Sequence, residues 1–422
     1  MTVRNVPLRR LVKILNGGTP TSDPVNWDGG VPWATPVDVG RANGAYLEHT
    51  LRTLTPQGAK SGSAMAPSQC VIVSTRAPIG YVATNTVPMA FNQGCKALLP
   101  NPTIHPSFLR YALAHANPEM QSLGQGSTFL ELSSSALAGV SIPYQSLDKQ
   151  KLTVDFLDRE TAQIDRLIVR QERLIELLAE KRQAIVTQAV TRGLDPSAPT
   201  KPSGIPWVPA SPIHWAASRI KWTHPKQESG TSVNGTDVPA GSGHIGVLKT
   251  GAVSKGYFLA SSNKTVVPED VDRATCPVRG GTLIVNRANT PDLVGSTGAP
   301  ETDMPTLFLS DKLWQIDFKD ANTRFMYWWT KTDGYRSQIQ FRRVGASSSM
   351  QNLSYSDFLT IDLAVPPLSE QEEIAQYLDG RTKQLDVLAF KARQAIALLR
   401  ERRSALISAA VTGKIDVREM AA

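Results

Sequence analysis

Two long stretches of the chain place apolar residues among charged ones at helical spacing. In the first, Ile164, Leu167, Leu174, Leu178, Ile185 and Ala189 follow a mixed three-and-four step, with Gln171 as a polar member of the stripe. That step keeps side chains on one helix face and predicts a coiled-coil seam. In the second, Leu385, Leu388, Ala392, Ala395, Leu399, Leu406 and Ala410 hold the same phase with smaller side chains in the middle, which lets another helix come close. The two stripes therefore suit packing on each other. One seam does not use all the apolar residues. Ile168, Ile175, Leu177, Val186 and Val190 widen the first stripe, and Ile396, Leu398, Ile407 and Val411 the second. This excess predicts a further surface for a partner.

End signals agree with long helices. Ser369 with Glu372 reads as a capping box, Asp148 as a cap for the first helix, and Gly193 and Gly413 stand where the chain should leave. At about 1.5 Å per residue, a helix from Phe156 to Asp195 spans roughly 60 Å. The pattern leaves two arrangements open: one continuous rod, or a short helix ending before Thr161 and Thr382 and joined through Leu157 to Glu160 and Leu378 to Arg381.

The stretches are copies. Phe156 to Asp195 recurs at Tyr377 to Asp416 without a gap, shifted by 221, with 16 of 40 positions identical. At the same offset the match runs back to Gly124/Gly345 through Leu132/Leu353, Ser133/Ser354, Leu147/Leu368 and Gln150/Gln371. The period is too long for a solenoid, so a whole domain plus helix is duplicated. The chain divides into a head (1–146), a helical spacer (147–195), a second head (196–367) and a second spacer (368–422). Each head reads as mixed sheet and helix. Cys70 to Asn85 predicts strand, loop and strand, and Ser107 to Ala116 a short helix; Gly281 to Gly298 and Thr323 to Thr332 echo them. The fold class is α+β with an internal pseudo-two-fold repeat. A shared scaffold with different loops suits two recognition heads with two targets.

The net charge of +8 resides in the heads. The first carries 10 Lys/Arg against 6 Asp/Glu and the second 17 against 14, whereas the spacers carry 9 against 9 and 9 against 8. Basic heads on neutral helices fit a polyanion reader on a protein-binding spacer. Candidate DNA contacts are polar and basic loop residues: Thr75, Arg76, Asn92, Gln93, Gln125, Ser127 and Thr128 in the first head, and Asn286, Arg287, Asn289, Arg342, Arg343, Ser347, Ser348 and Ser349 in the second. Arg pairs with guanine and Asn or Gln with adenine in the major groove, while Ser, Thr and backbone N–H groups hold phosphates.

Other chemistry finds little support. Cys70, Cys95 and Cys276 form no CxxC pair, the six histidines form no HExxH or HxxxH set, and no apolar run approaches a membrane span. A cytoplasmic protein without metal, cofactor or membrane is expected. There is no Walker loop, G-x-S-x-G elbow or adenine-methyltransferase motif. One decoy remains: Asp292 with Asp317 and Lys319 has the spacing of a metal-dependent nuclease.

Three segments carry a resemblance: Gly17 to Gly40 (GGTPTSDPVNWDGGVPWATPVDVG), Leu368 to Asp379 (LSEQEEIAQYLD) and Leu399 to Asp416 (LRERRSALISAAVTGKID). With the order head, helix, head, helix, the chain resembles the DNA specificity subunit of type I restriction-modification systems over essentially its full length. Departures are LDKQKLTVDFLD and TRGLD in the first repeat, and THPKQESG where the second head lacks a GGTP opening. The resemblance implies a non-catalytic subunit serving DNA methylation and host defence. Its two target-recognition domains each read half of a split sequence in double-stranded DNA, and its helices pack antiparallel as a ruler. It further implies two modification subunits that bind S-adenosylmethionine and flip and methylate adenine, and restriction subunits that use ATP and Mg²⁺. Half-sites on one duplex face lie about one turn, roughly 34 Å, apart, within the rod's reach. A few residues inserted after Val190 should then lengthen the spacer between half-sites without altering either. The competing readings are a coiled-coil adaptor with protein-binding heads and an autonomous nuclease.

Overall fold

The computed structural model describes residues 3–76, 78–126, 130–345 and 350–418. The chain forms two compact units. One takes the first head with the spacer up to Glu172 and the chain from Ala392 onward; the other takes Arg173 to Lys391. Each unit thus combines one head with part of both long helices.

In the first unit, a five-stranded sheet has the order Val12–Asn16, Cys95–Pro100, Val71–Ser74, Val82–Asn85, Tyr46–Leu47. A four-stranded sheet runs Thr53–Leu54, Trp27–Ala34, Met89–Phe91, Ala64–Ala66. The helix Pro106–His115 covers the first sheet and buries Phe108, Leu109, Tyr111 and Leu113. In the second unit, a four-stranded sheet runs Pro225–Ser229, Leu313–Phe318, Leu283–Asn286, Thr297–Gly298. Its second sheet runs Gly235–Thr236, Asn263–Val266, Gly246–Leu248, Met304–Phe308, Pro277–Val278. The helix Thr323–Trp329 plays the covering role. In each head the second sheet holds one parallel pair, Trp33 beside Ala90 and Gly246 beside Leu307. The expected strands and short helices fall where the alternation and the apolar spacing put them.

The missing GGTP opening of the second head proves to be local. Gly17 follows strand Val12–Asn16, and a Cβ there would lie 2.0 Å from the Asn92 carbonyl oxygen. Gly230 follows the matching strand Pro225–Ser229, and a Cβ there would lie 1.7 Å from the Leu309 carbonyl oxygen. Both positions need glycine because two backbones touch. THPKQESG keeps the one glycine that this crossing requires.

Both spacers are single helices, Leu147–Arg192 and Leu368–Val411, continuous through LDRE and LDGR. Gly193 (φ +79) and Gly413 (φ +69) end them in the left-handed conformation. The expected N-terminal caps are displaced. Asp148 and Ser369 lie inside the first turn, and Pro367 supplies the carbonyl that accepts the Gln371 N–H.

The buried face is rotated from the predicted seam. Leu167, Leu174 and Leu388 are exposed, while Ile168 and Ile175 are half-buried. The face runs Thr161, Ile164, Ile168, Gln171, Ile175, Leu178 on the first helix and Thr382, Leu385, Ala389, Ala392, Ile396, Leu399 on the second. Every member has its counterpart 221 residues on. In the first unit Arg403 Nε lies 2.9 Å from Asp165 and Arg400 Nη2 3.2 Å from Glu172, which makes the helix segments antiparallel there. In the second, Arg182 Nε lies 3.4 Å from Asp386, the same ion pair shifted by 221. Of the residues assigned to a partner surface, Val186 and Val190 are fully buried in the second head's core, Ile407 and Val411 join the first head's core, and Ile396 is buried. These five cannot face a partner: the last turns of each helix close a head with the other four, and Ile396 packs on the buried helix face. Ile168 and Ile175 belong to the buried face, which leaves Leu177 and Leu398 exposed.

Candidate nucleic-acid interface

Each head gathers three loops at one end of its first sheet. In the first head, strand Val71–Ser74 leads into Thr75 and Arg76. The Thr75 N–H donates to Gly94 O at 2.8 Å, which brings in the turn Asn92 to Gly94. Leu132 N–H donates to Thr75 O at 2.8 Å, and Arg76 bridges Glu131, which brings in the segment from Gln125. Gln125 and Glu131 exchange both backbone hydrogen bonds, at 3.1 and 2.8 Å. Thr75, Arg76, Asn92, Gln93 and Gln125 are thus neighbours, with Arg76, Gln93 and Gln125 exposed. Arg76 Nε lies 3.1 Å from the Glu131 carboxylate, and the Thr19 hydroxyl donates to Gln93 Oε1, so both presented side chains are braced.

The second head builds the same cluster from other side chains. Arg287 N–H donates to Lys312 O at 3.0 Å and Leu353 N–H to Arg287 O at 2.8 Å. Ala288 and Asn289 pair with Asn352 and Gln351, and Val344 with Asn352. Arg287 stands where the first head has Thr75, and the turn Ser310 to Lys312 where it has Asn92 to Gly94. Arg287 and Asn289 are half-exposed. Ser127, Thr128, Ser347, Ser348 and Ser349 lie outside the described residues.

Three assigned residues serve the head instead. Thr75 is fully buried, with its hydroxyl 3.3 Å from Gly94 O. Asn286 is fully buried, with Nδ2 3.5 Å from Thr250 O. Both sit where a buried strand ends, so their side chains point inward. Arg342 donates to the Thr360 hydroxyl and carbonyl at 2.9 and 3.2 Å and to Gln338 O at 3.2 Å, which anchors the base of its loop. Arg343 is half-exposed beside exposed Phe341 and Val344.

A basic pocket beside the second cluster was not anticipated. It encloses about 350 Å³, and its lining includes Lys249, Lys264, Lys312, Thr250, Ser310 and Asp311. Lys249 pairs with Asp237 at 2.7 Å, Lys264 donates to Val233 O at 2.7 Å, and the buried Ser310 hydroxyl has no partner. Three lysines and a hydroxyl lining one pocket suit a phosphate. The pocket was legible only by aligning Ser310 to Lys312 with Asn92 to Gly94, at an offset of 218 where the gapless 221 no longer holds.

The nuclease decoy comes apart. In the pairing of Leu283–Asn286 with Leu313–Phe318, Leu283 faces Ile316 and Asn286 faces Leu313. Asp317 therefore lies at one end of the sheet, against Arg279 at 2.5 Å, and Asp292 follows the strand's other end. Among the described residues no group of three His, Cys, Asp or Glu could hold a metal ion, and no helix is long and apolar enough to cross a membrane. Burial holds the Cys70 thiol up at about 11 and pushes Cys95 higher, so neither offers a nucleophile.

Comparison with known proteins places this architecture. The family model of the type I restriction modification DNA specificity domain matches residues 2–176 and 242–396. The type I restriction enzyme MjaIX specificity subunit of Methanocaldococcus jannaschii is 30% identical over 175 residues, a match covering 40% of each chain. The EcoKI specificity subunit of Escherichia coli K12 is 20% identical over 369 residues, covering 85% of this chain and 77% of that one. A chain from a solved structure on complex assembly and conformational transition of the type I R-M system superposes with a TM-score of 0.72 at 14% identity, covering 98% of both. That likeness shows the shared fold. With two family matches covering the first head, most of the second and more than half of each spacer, the chain belongs to the type I restriction-modification DNA specificity family, as a specificity subunit that is itself non-catalytic.

Proposed function

We propose that each head reads one half of a two-part DNA sequence and that the helices hold the two reading surfaces for a pair of modification subunits. The observation that carries this reading is the duplicated three-loop cluster, built on one backbone plan but presenting Arg76, Gln93 and Gln125 in one head and Arg287, Asn289 and Lys312 in the other. The same plan with different hydrogen-bonding groups is what two different half-sites require. A pair of identical partners is supported by exposed apolar residues that recur 221 apart: Leu167/Leu388, Val169/Phe390 and Leu177/Leu398. In the second unit Val387 and Phe390 edge an open groove of about 810 Å³. S-adenosylmethionine, ATP and Mg²⁺ belong in this reading to the partner subunits, which supply methylation and ATP-driven cleavage.

The test is to co-purify the chain with its modification subunit and sequence the methylated bases of a host that carries both. Replacing residues 1–146 with another family member's first head should change one half-site and leave the other. Raising salt should weaken binding steeply, because phosphate contacts release counterions. Change in both half-sites, or binding indifferent to salt, would favour the adaptor reading.

A further inference from the structure

The apolar contacts that seat each head on its helix are non-directional. Directional bonds must set the angle. In the first unit the spacer helix supplies them through Gln150 and Asp158, eight positions apart and therefore on one side of the helix. Beside them, the Thr161 hydroxyl lies 3.2 Å from that of Tyr111, while the Gln145 amide donates to Ala410 O and Val411 O of the other helix at 3.3 and 2.9 Å. Gln150 is fully buried; its Oε1 accepts the His105 N–H at 2.7 Å and its Nε2 donates to Gln145 O at 2.8 Å. His105 is the residue that opens the head helix Pro106–His115. Asp158 accepts from Arg110 Nη2 at 3.0 Å and from the Tyr111 hydroxyl at 2.5 Å. Burial pushes the Tyr111 phenol up to about 12, so it stays a donor across the working pH range.

The second unit repeats the arrangement from the residues 221 further on. Gln371 Oε1 accepts the N–H of Asn322, which opens the head helix Thr323–Trp329, at 2.8 Å, and its Nε2 donates to Pro366 O at 2.9 Å. Asp379 accepts from Arg324 Nε and Trp328 Nε1, both at 2.8 Å. Tyr111 and Trp328 each lie six residues after the residue that opens their helix. The head side of the junction thus changes its donors, a phenol for an indole, while the spacer side keeps the same two acceptors. A contact needed only for packing would have no reason to keep the same acceptors against different donors.

We propose that Gln150 with Asp158, and Gln371 with Asp379, are positioning residues that fix the angle of each head on its helix and thereby set the base-pair spacing the subunit accepts between half-sites. The LSEQEEIAQYLD segment is on this view read inward, by its own head. The proposal rests on the two-half-site reading given above.

The experiment uses the full chain in complex with its modification subunit. Initial methylation rates are measured on duplexes whose spacer is the native length or one base pair longer or shorter. Asp158→Asn and Asp379→Asn keep the size of the side chain and remove the charge that Arg110 and Arg324 pair with. Each should reduce the discrimination between native and altered spacers about tenfold, since bonds to charged groups are the strong ones, while base preference inside both half-sites stays as in the wild type. Unchanged spacer discrimination in an assembled variant overturns the positioning role, and so does an equal loss of rate on all three duplexes. Should either Asn variant fail to assemble, Tyr111→Phe removes a single donor in the first unit and Trp328→Phe one in the second, and the same two readings apply. A wild-type complex with no two-part target removes the underlying reading and the positioning role with it; a wild-type complex with such a target and variants of native discrimination removes the positioning role alone.

Discussion

Lys331 donates from Nζ to the Thr297 carbonyl at 2.9 Å and to its hydroxyl at 2.7 Å, with the Tyr327 ring 4.1 Å away. Part of its stem reaches solvent, but the ammonium is enclosed, and burial first, then Arg182 and Arg324, draws its pKa well below 10.5. Between that lowered folded value and the unfolded value near 10.5, the unfolded chain binds the proton that the folded one sheds. Stability therefore rises with pH across this window and falls as pH drops. With Lys331→Met the rise should flatten: as pH climbs toward 10.5, wild type gains on the variant by up to about 1.4 kcal/mol per pH unit. Calorimetric melting of both proteins at each pH checks this, and parallel curves would refute it. Nothing in the one-letter pattern marks Lys331, whose neighbours come from three separate segments. Thr75 and Asn286 show the same limit from the other side. Their type suits a base edge, but a residue at a strand's end points inward or outward according to register, which only the paired strands define.

At the scale of elements, the helices and the paired strands follow from spacing alone, while the choice of helix face does not. Leu167 and Ile168, and Leu174 and Ile175, are adjacent apolar pairs, so two stripes one residue apart both satisfy a three-and-four step. The packing of whole segments decides for Ile168 and Ile175, and it drives Val186, Val190, Ile407 and Val411 into head cores rather than toward a partner. A substitution pair separates the two faces. Ile164→Ala, at a position 5% exposed, should cost on the order of 2–4 kcal/mol through the cavity it leaves. Leu167→Ala, at 43% exposed, should cost under about 1 kcal/mol yet weaken binding of the modification subunit. Urea unfolding gives the first quantity and titration of the purified subunits the second. Equal destabilisation by both changes would restore the seam that includes Leu167.

For the whole molecule, the duplication makes length a symmetric quantity: an ion pair such as Asp165 with Arg403 recurs as Asp386 with Arg182 because both helices were copied in register. An insertion after Val190 would enter the second head's core, where Val190 is fully buried, and would test folding rather than length. The equivalent positions after Glu172 and after Arg393 lie 221 apart in the middle of each helix. Seven residues inserted at both keep the phase of the buried face, because a heptad is two turns of a coiled-coil stripe. Each helix lengthens by about 10.5 Å at about 1.5 Å per residue, or about three base pairs at roughly 3.4 Å each. The methylated target should then carry a spacer about three base pairs longer with both half-sites unchanged, as read by sequencing methylated bases in a host bearing the variant. A half-site that changes its bases, or a spacer that keeps its length in a folded and active complex, would show that something other than the helices sets the distance.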